Sequence, residues 1–221
     1  MTPSEIRNLY DQQYADSYDQ TFREGPIAAS MTKSEKKILK LLLGKGGPWL
    51  DVGCGTGFSL AQFPHIERTG LDLSPAMLKK ARAANQTANF IEGNFLDPRP
   101  EWNGRFRLVT CMWYAYALLD SVREIECAID NMADWTAGTG FLFVPVCDPC
   151  AFGTFPERQS WWGGGAEVQI TAVVWNYADS HQHLNLVSPT LEVMREMLRK
   201  RFHTVTDIPY EITALLAADK K

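Results

Sequence analysis

The stretch Trp49-Leu50-Asp51-Val52-Gly53-Cys54-Gly55-Thr56-Gly57 constrains this chain more than any other. Its short apolar run has the pattern of a buried parallel strand. The alternate glycines behind that run form a turn whose backbone a ligand can approach closely, because no side chain stands in the way. Upstream, Gly44, Gly46, Gly47 and Pro48 end a helix and lead into the strand.

Taken in order, residues 3–20 predict a helix with Tyr10, Tyr14 and Tyr18 on one face, and residues 31–43 predict an amphipathic helix. Strands are expected at 49–52, 67–74, 89–91, 106–112 and 141–146, with helices at 59–63, 74–84 and 121–135 between them. The alternation predicts an α/β fold: a doubly wound, Rossmann-like, mostly parallel seven-stranded sheet with its ligand crevice at the strand carboxyl ends. Residues 205–208 and 213–217 read as an antiparallel terminal hairpin. Residues 167–177 and 182–187 read as a β-hairpin inserted after the fifth strand. Residues 1–221 are thus expected to form a single domain, with an N-terminal lid helix at 1–25 and a substrate-side insertion at 147–188.

A net charge of -4 and the absence of any Lys/Arg run offer no phosphate track, so a small molecule is expected as partner rather than nucleic acid. No run approaches the ~20 apolar residues that cross a bilayer, and Met1 to Tyr10 lacks a signal-peptide core, so a cytosolic location is expected. Five cysteines, an odd number, fit free thiols in a reducing compartment. Cys147-Asp148-Pro149-Cys150 supplies only half of a tetrahedral site, and no metal is expected.

The ligand is narrowed by three features of the loop and its surroundings. A dinucleotide fingerprint needs a further Gly where Phe58, Ser59 and Leu60 stand, which weakens a nicotinamide-dependent oxidoreductase, and no Lys-Ser or Lys-Thr follows to make a P-loop. Asp72, 21 positions after Asp51, falls where a neighbouring strand ends and a carboxylate can accept from ribose hydroxyls. Asp51 beside the glycines suits a cationic ligand. S-adenosylmethionine carries an ammonium, a sulfonium and an adenosine, and no phosphate.

At these residues the chain resembles the class I S-adenosylmethionine-dependent methyltransferase family, small-molecule type. The resemblance runs from Leu50–Gly57 through Gly70-Leu71-Asp72-Leu73-Ser74-Pro75-Ala76-Met77-Leu78 and Gly93-Asn94-Phe95 to the strand at Phe106. It implies that Gly53 and Gly55 pass under the methionine, that Asp72 binds the ribose, that Leu73 and Met77 flank the adenine and that Phe95 packs on it. The implied cofactor set is Tyr14, Tyr18, Asp51, Gly53, Cys54, Gly55, Gly57, Asp72, Leu73, Met77, Asn94, Phe95, Cys111 and Met112. Asn94 and Arg107 stand where the family usually has Asp.

No Asn/Asp-Pro-Pro-Tyr run follows the fourth strand, which argues against methylation of a base amine. Cys111-Met112-Trp113-Tyr114 instead resembles small-molecule enzymes, including those acting on amino sugars, and His183–Thr190 is similar to sugar-tailoring methyltransferases. The expected activity is methyl transfer to an oxygen or nitrogen of a sugar or natural-product intermediate. The alternative from another class is a cofactor-binding module without transferase chemistry. His181, His183 and Tyr114 are the catalytic candidates, with a His best matched in pKa to neutral-pH base work. Trp161 and Trp162 are suited to stacking on an acceptor or packing against a second subunit in a homodimer.

Overall fold

The computed structural model describes residues 1–22, 26–44, 46–148, 158–160, 167–178, 182–209 and 213–221. Its main sheet combines β1 (Trp49–Val52), β2 (Arg68–Asp72), β3 (Asn89–Glu92), β4 (Phe106–Thr110), β5 (Thr136–Pro145), β10 (Phe202–Ile208) and β11 (Ala214–Lys220) in the order β10-β11-β5-β4-β1-β2-β3. The first five strands pair in parallel, and β11 runs antiparallel to both of its neighbours. From β1 the chain winds outward to β2 and β3, then crosses back to β4 and β5 on the other side. The carboxyl ends of β1 and β4 are therefore the switch point at which such sheets open a crevice.

Alternation along the strands divides the core. Leu50, Val52, Val109, Leu142 and Val144 join Ile125, Ile129, Met132 and Trp135 of α6 (Val122–Trp135) and Met194 and Leu198 of α7 (Leu191–Arg201). Trp49, Leu108 and Phe143 point to the opposite face, against Leu39 of α3 (Pro26–Leu42), Leu60 of α4 (Phe58–Ala61) and Leu78 of α5 (Pro75–Ala84). Ser74, Ser121 and Thr190 cap α5, α6 and α7, each accepting from a backbone N–H three residues on.

The structure departs from the sequence expectation at three places. The single helix expected at 3–20 is two, α1 (Pro3–Leu9) and α2 (Gln12–Phe22), because the Asp11 side chain accepts from Tyr14 N–H at 2.9 Å and starts a new helix. The glycines at 138 and 140 do not merely end a helix: they lie inside β5, where the pairing with β4 shifts register between Phe106 and Leu108. The strand expected at 167–177 is interrupted, its first part, β7 (Glu167–Gln169), pairing with β6 (Arg158–Ser160). The expected inserted hairpin forms from the remainder, β8 (Ala172–Ala178) and β9 (Gln182–Pro189). Among the described residues no helix is long and apolar enough to cross a membrane.

A buried polar knot ties the glycine-rich turn to the helical layer. The Arg68 guanidinium, 2 % exposed, donates to Leu60 O at 2.7 Å and to Asn85 Oδ1 at 3.3 Å. Asn85 Nδ2 in turn donates to Gly57 O and Ala81 O. Asn85→Ala leaves these groups without that partner and is expected to cost about 1–3 kcal/mol, read as a lower urea midpoint at unchanged slope. Burial also pushes the Cys111 thiol up to about 12 and raises Cys54, whereas Cys127 is exposed. Iodoacetamide at mildly alkaline pH should alkylate Cys127 while Cys54 and Cys111 react only in denaturant, as peptide mass mapping would show.

Candidate functional site

A cavity of about 240 Å³ lies at the carboxyl ends of β1 to β4. Gly53, Cys54 and Gly55 of the turn after β1 form one wall, continued by Asp72, Leu73 and Met77. Asn94, Phe95 and Leu96 follow β3, while Met112, Trp113 and Ala115 follow β4. Met1, Thr2, Pro3 and Ile6 close it from α1 with Tyr10 and Tyr18, and Leu118, Leu119, Asp120 and Glu124 line the end nearest α6.

Gly53 has φ +68°, and a Cβ there would lie 2.5 Å from the Ala115 Cβ, so backbone must form this wall. A Cβ on Gly55 would meet no protein atom within 4 Å, which leaves the turn open for a ligand to lie along it. Asp72 orders the turn from the neighbouring strand: its Oδ2 accepts from Gly55 N–H at 2.7 Å and its Oδ1 from Ser74 N–H at 2.8 Å. Burial pushes the Asp72 carboxyl above its ordinary range, opposed by hydrogen bonds from the N–H groups of Ser74, Gly55 and Leu73. Asp51, 2 % exposed, accepts from Thr110 Oγ1 at 2.6 Å, and that hydroxyl accepts from Trp49 Nε1 at 2.9 Å. The described lining side chains thus include Asp51, Asp72, Asp120 and Glu124 and, among the described residues, no Lys, Arg or His, while Asp120 is paired with the Met1 ammonium. Such a cavity favours a cationic, phosphate-free ligand.

Of the proposed cofactor residues, Tyr18, Asp51, Gly53, Cys54, Gly55, Asp72, Leu73, Met77, Asn94, Phe95 and Met112 are brought together around this cavity. Asn94 Oδ1 accepts from Leu96 N–H at 3.0 Å, which turns the chain after β3. Gly57, Cys111 and Tyr14 are not in the lining. Gly57 caps α4 with φ +71°, packed against Asn85 and Ala81. Cys111 is fully buried at the end of β4, where its N–H donates to Phe143 O. Tyr14 lies beneath the cavity wall, and its hydroxyl is hydrogen-bonded to His183 Nε2 at 2.9 Å.

The catalytic candidates are placed apart from the lining too. His183 is buried on β9. Tyr114 sits between the lining residues Trp113 and Ala115 but packs into the main core, at φ +60° in a left-handed turn shared with Trp113. Its Oη is buried with no hydrogen-bond partner, and burial pushes the phenol far above its ordinary value, with Cys147 and Glu35 adding to the rise. His181, Cys150, Trp161 and Trp162 fall outside the described residues. Arg107 stands away from the cavity, its guanidinium 5.7 Å from the Phe141 ring centroid.

The expected lid at 1–25 includes α1, but sequence reasoning did not name its lining residues Met1, Thr2, Pro3 and Ile6, and it missed the Leu118–Glu124 end and the ties of α2 to the loops. Thr56 Oγ1 donates to Asp19 Oδ1 at 2.6 Å, and Ser74 Oγ donates to Tyr10 O at 2.6 Å. A usable signal existed only for the α6 end, since Asp120 and Ser121 mark a helix start just beyond the switch-point strand.

Residues 50–140 match the family described as "Methyltransferase domain". Over 142 residues the chain is 30% identical to the dTDP-3-amino-3,6-dideoxy-alpha-D-glucopyranose N,N-dimethyltransferase of Streptomyces fradiae, covering 63% of this chain and 52% of that protein. It is 35% identical over 116 residues to the demethylmenaquinone methyltransferase of Chlorobaculum tepidum, covering 48% and 46%. The matches thus span about half the length of these curated relatives. Streptomyces venezuelae DesVI superposes with TM-score 0.68 at 19% identity over 93% of this chain and 98% of that one. The amino pentose methyltransferase CalS10 of Micromonospora echinaspora, solved with S-adenosylmethionine bound, gives 0.66 at 20% identity over 96% and 98%. These structures share the fold, and the matched domain lies on the strands that build the cavity. Over residues 50–140 the chain is thus similar to methyltransferase domains, in line with the resemblance to the S-adenosylmethionine-dependent methyltransferases that its motifs carry.

Proposed function

We propose that the cavity holds S-adenosylmethionine and that the protein transfers its methyl group to an oxygen or nitrogen of a small molecule, a sugar or natural-product intermediate. The observation that carries this reading is the acid-lined cavity at the switch point, with an open glycine turn on one side and Asp72 on the other. In this reading residues 1–221 act as one unit, with residues 1–25 covering the cofactor and residues 147–188 lying toward the acceptor.

Bound there, S-adenosylmethionine supplies an electrophilic methyl on a sulfonium. Asp72 binds the ribose hydroxyls with lone pairs left over from its two backbone bonds. Leu73, Met77 and Phe95 surround the adenine, and Gly53 and Gly55 let the methionine lie on backbone. Asp51, held by Thr110, balances positive charge in a site shielded from water, where such interactions strengthen. Tyr18 and Tyr10 exclude water from above. In-line displacement then depends chiefly on holding the acceptor on the methyl axis. The amino-sugar relative in Streptomyces fradiae supports a sugar amine as the first acceptor to test.

Calorimetry should detect S-adenosylhomocysteine binding, and Asp72→Ala should weaken it by about tenfold or more while the variant still melts cooperatively. Unchanged affinity in that variant would remove Asp72 from the ribose site. Incubation with S-adenosylmethionine and a panel of nucleotide-linked amino sugars should add one methyl mass, or two in sequence, to a panel member. Cofactor binding with no methyl gained by any amine or hydroxyl acceptor would favour a binding module instead.

A further inference from the structure

We propose that His183 is a positioning residue: from the hairpin strand β9 it fixes, through Tyr14, the aromatic wall that closes the cofactor cavity. The inference rests on the cofactor reading above.

Neither Tyr14 nor His183 lines the cavity, and both are almost fully buried, at 1 % and 5 % exposure. Their 2.9 Å hydrogen bond joins residues 169 positions apart, one on α2 and one on β9. Tyr14 occupies the middle of a packed set of rings. Its centroid lies 5.4 Å from that of Tyr10 and 5.7 Å from that of Tyr18, both of which line the cavity. The His183 ring packs against the same set, 5.7 Å from Tyr14 and edge-on to Tyr10 at 6.0 Å. A displacement of Tyr14 must therefore move the rings that meet the ligand.

The anchoring runs from the hairpin to the helix. Three and four residues beyond His183, Leu186 and Val187 are buried in the main core, which makes this part of β9 a fixed post. Tyr14 and Ala15 are the buried residues of α2 and pack on Met77 of α5, so the residue that His183 holds is one through which the helix is seated. Asp19, at the far end of α2, accepts from Thr56 in the glycine-rich turn, so the position of the helix also reaches the turn under the ligand. An imidazole suits the post because either tautomer makes the bond, as acceptor from the phenol or as donor to it.

The test is calorimetry of S-adenosylhomocysteine on the full chain carrying Tyr14→Phe, His183→Phe, both together, or His183→Gln. Tyr14→Phe removes one oxygen and keeps the ring, so it reads the bond even where His183→Phe lowers expression. Each phenylalanine variant should bind about three- to tenfold more weakly, and the double variant should be no weaker than the poorer single. His183→Gln, which can still hydrogen-bond the phenol, should recover affinity to within about twofold of wild type. A merely structural role would lower the urea midpoint without this non-additivity or rescue in binding. Wild-type affinity in both single variants, or losses that multiply in the double variant, would overturn the positioning role. A wild-type chain that binds no S-adenosylhomocysteine would overturn the cofactor reading and this inference with it.

Discussion

The carboxylate of Asp72 is the point from which the rest of the site is set. Its two oxygens accept from the N–H groups of Gly55 and Ser74, which fastens the turn after β1 to the turn after β2. Ser74 then passes the position on: its hydroxyl caps α5 and donates to Tyr10 O, where α1 meets α2. One half-buried acid thus holds the floor of the cavity and, through one serine, its cover. The arrangement has a cost. Burial holds the Asp72 carboxyl above its ordinary range, so the folded chain binds that proton more tightly than the unfolded chain. The stability lost to its ionisation grows as pH rises from the ordinary carboxylate value through the raised one. A ligand donating hydroxyl hydrogen bonds to the anion offsets part of that cost.

Charge continues the same logic along the cavity. Asp51 belongs to a buried relay, Trp49 to Thr110 to Asp51, and each donor in it comes from a strand with no freedom to turn away. A carboxylate held so firmly keeps its orientation whether or not a cation is present, and this preorganisation is what makes a fixed charge effective. Asp51 and Asp72 beside the glycine-rich turn, with no basic side chain among the described lining residues, disfavour phosphate there, whereas at the far end Asp120 is balanced by the Met1 ammonium. The absence of a third fingerprint glycine and this acid lining are independent reasons, one covalent and one electrostatic, against a dinucleotide.

Much of the sheet and one side of the cavity were legible because they are local. Strand, glycine turn and Ser74-Pro75 helix start follow from backbone preference at consecutive positions, and Asp72, Asn94 and Phe95 follow from where a parallel strand must end, while Leu73 and Met77 came from the family resemblance. What was not legible depends on which surfaces meet. Tyr14 and Tyr18 have equivalent spacing on one helix face, yet Tyr18 meets the cavity and Tyr14 meets His183. Gly57 shares the alternate spacing of Gly53 but serves the helix cap, because Asn85 and Ala81 press against it. The α1 wall left no periodic signal, since α1 buries none of its own residues. Asp11 looked like another polar helix residue until its side chain was found capping α2.

The two described catalytic candidates lead to a conclusion about mechanism. His183 has one ring nitrogen engaged by Tyr14 in a buried cluster and stands outside the lining. The Tyr114 phenol is held protonated by burial, the opposite of what a base requires. Both residues are therefore better suited to shaping the walls than to removing a proton. A transfer that relies on walls draws its rate from alignment and exclusion of water, for which effective molarities are large. Such a site works best on an acceptor that brings its own lone pair, as a neutral amine does, because the nitrogen can attack first and lose its proton afterwards. A hydroxyl acceptor would need a base, and among the described candidates neither His183 nor Tyr114 supplies one in this geometry.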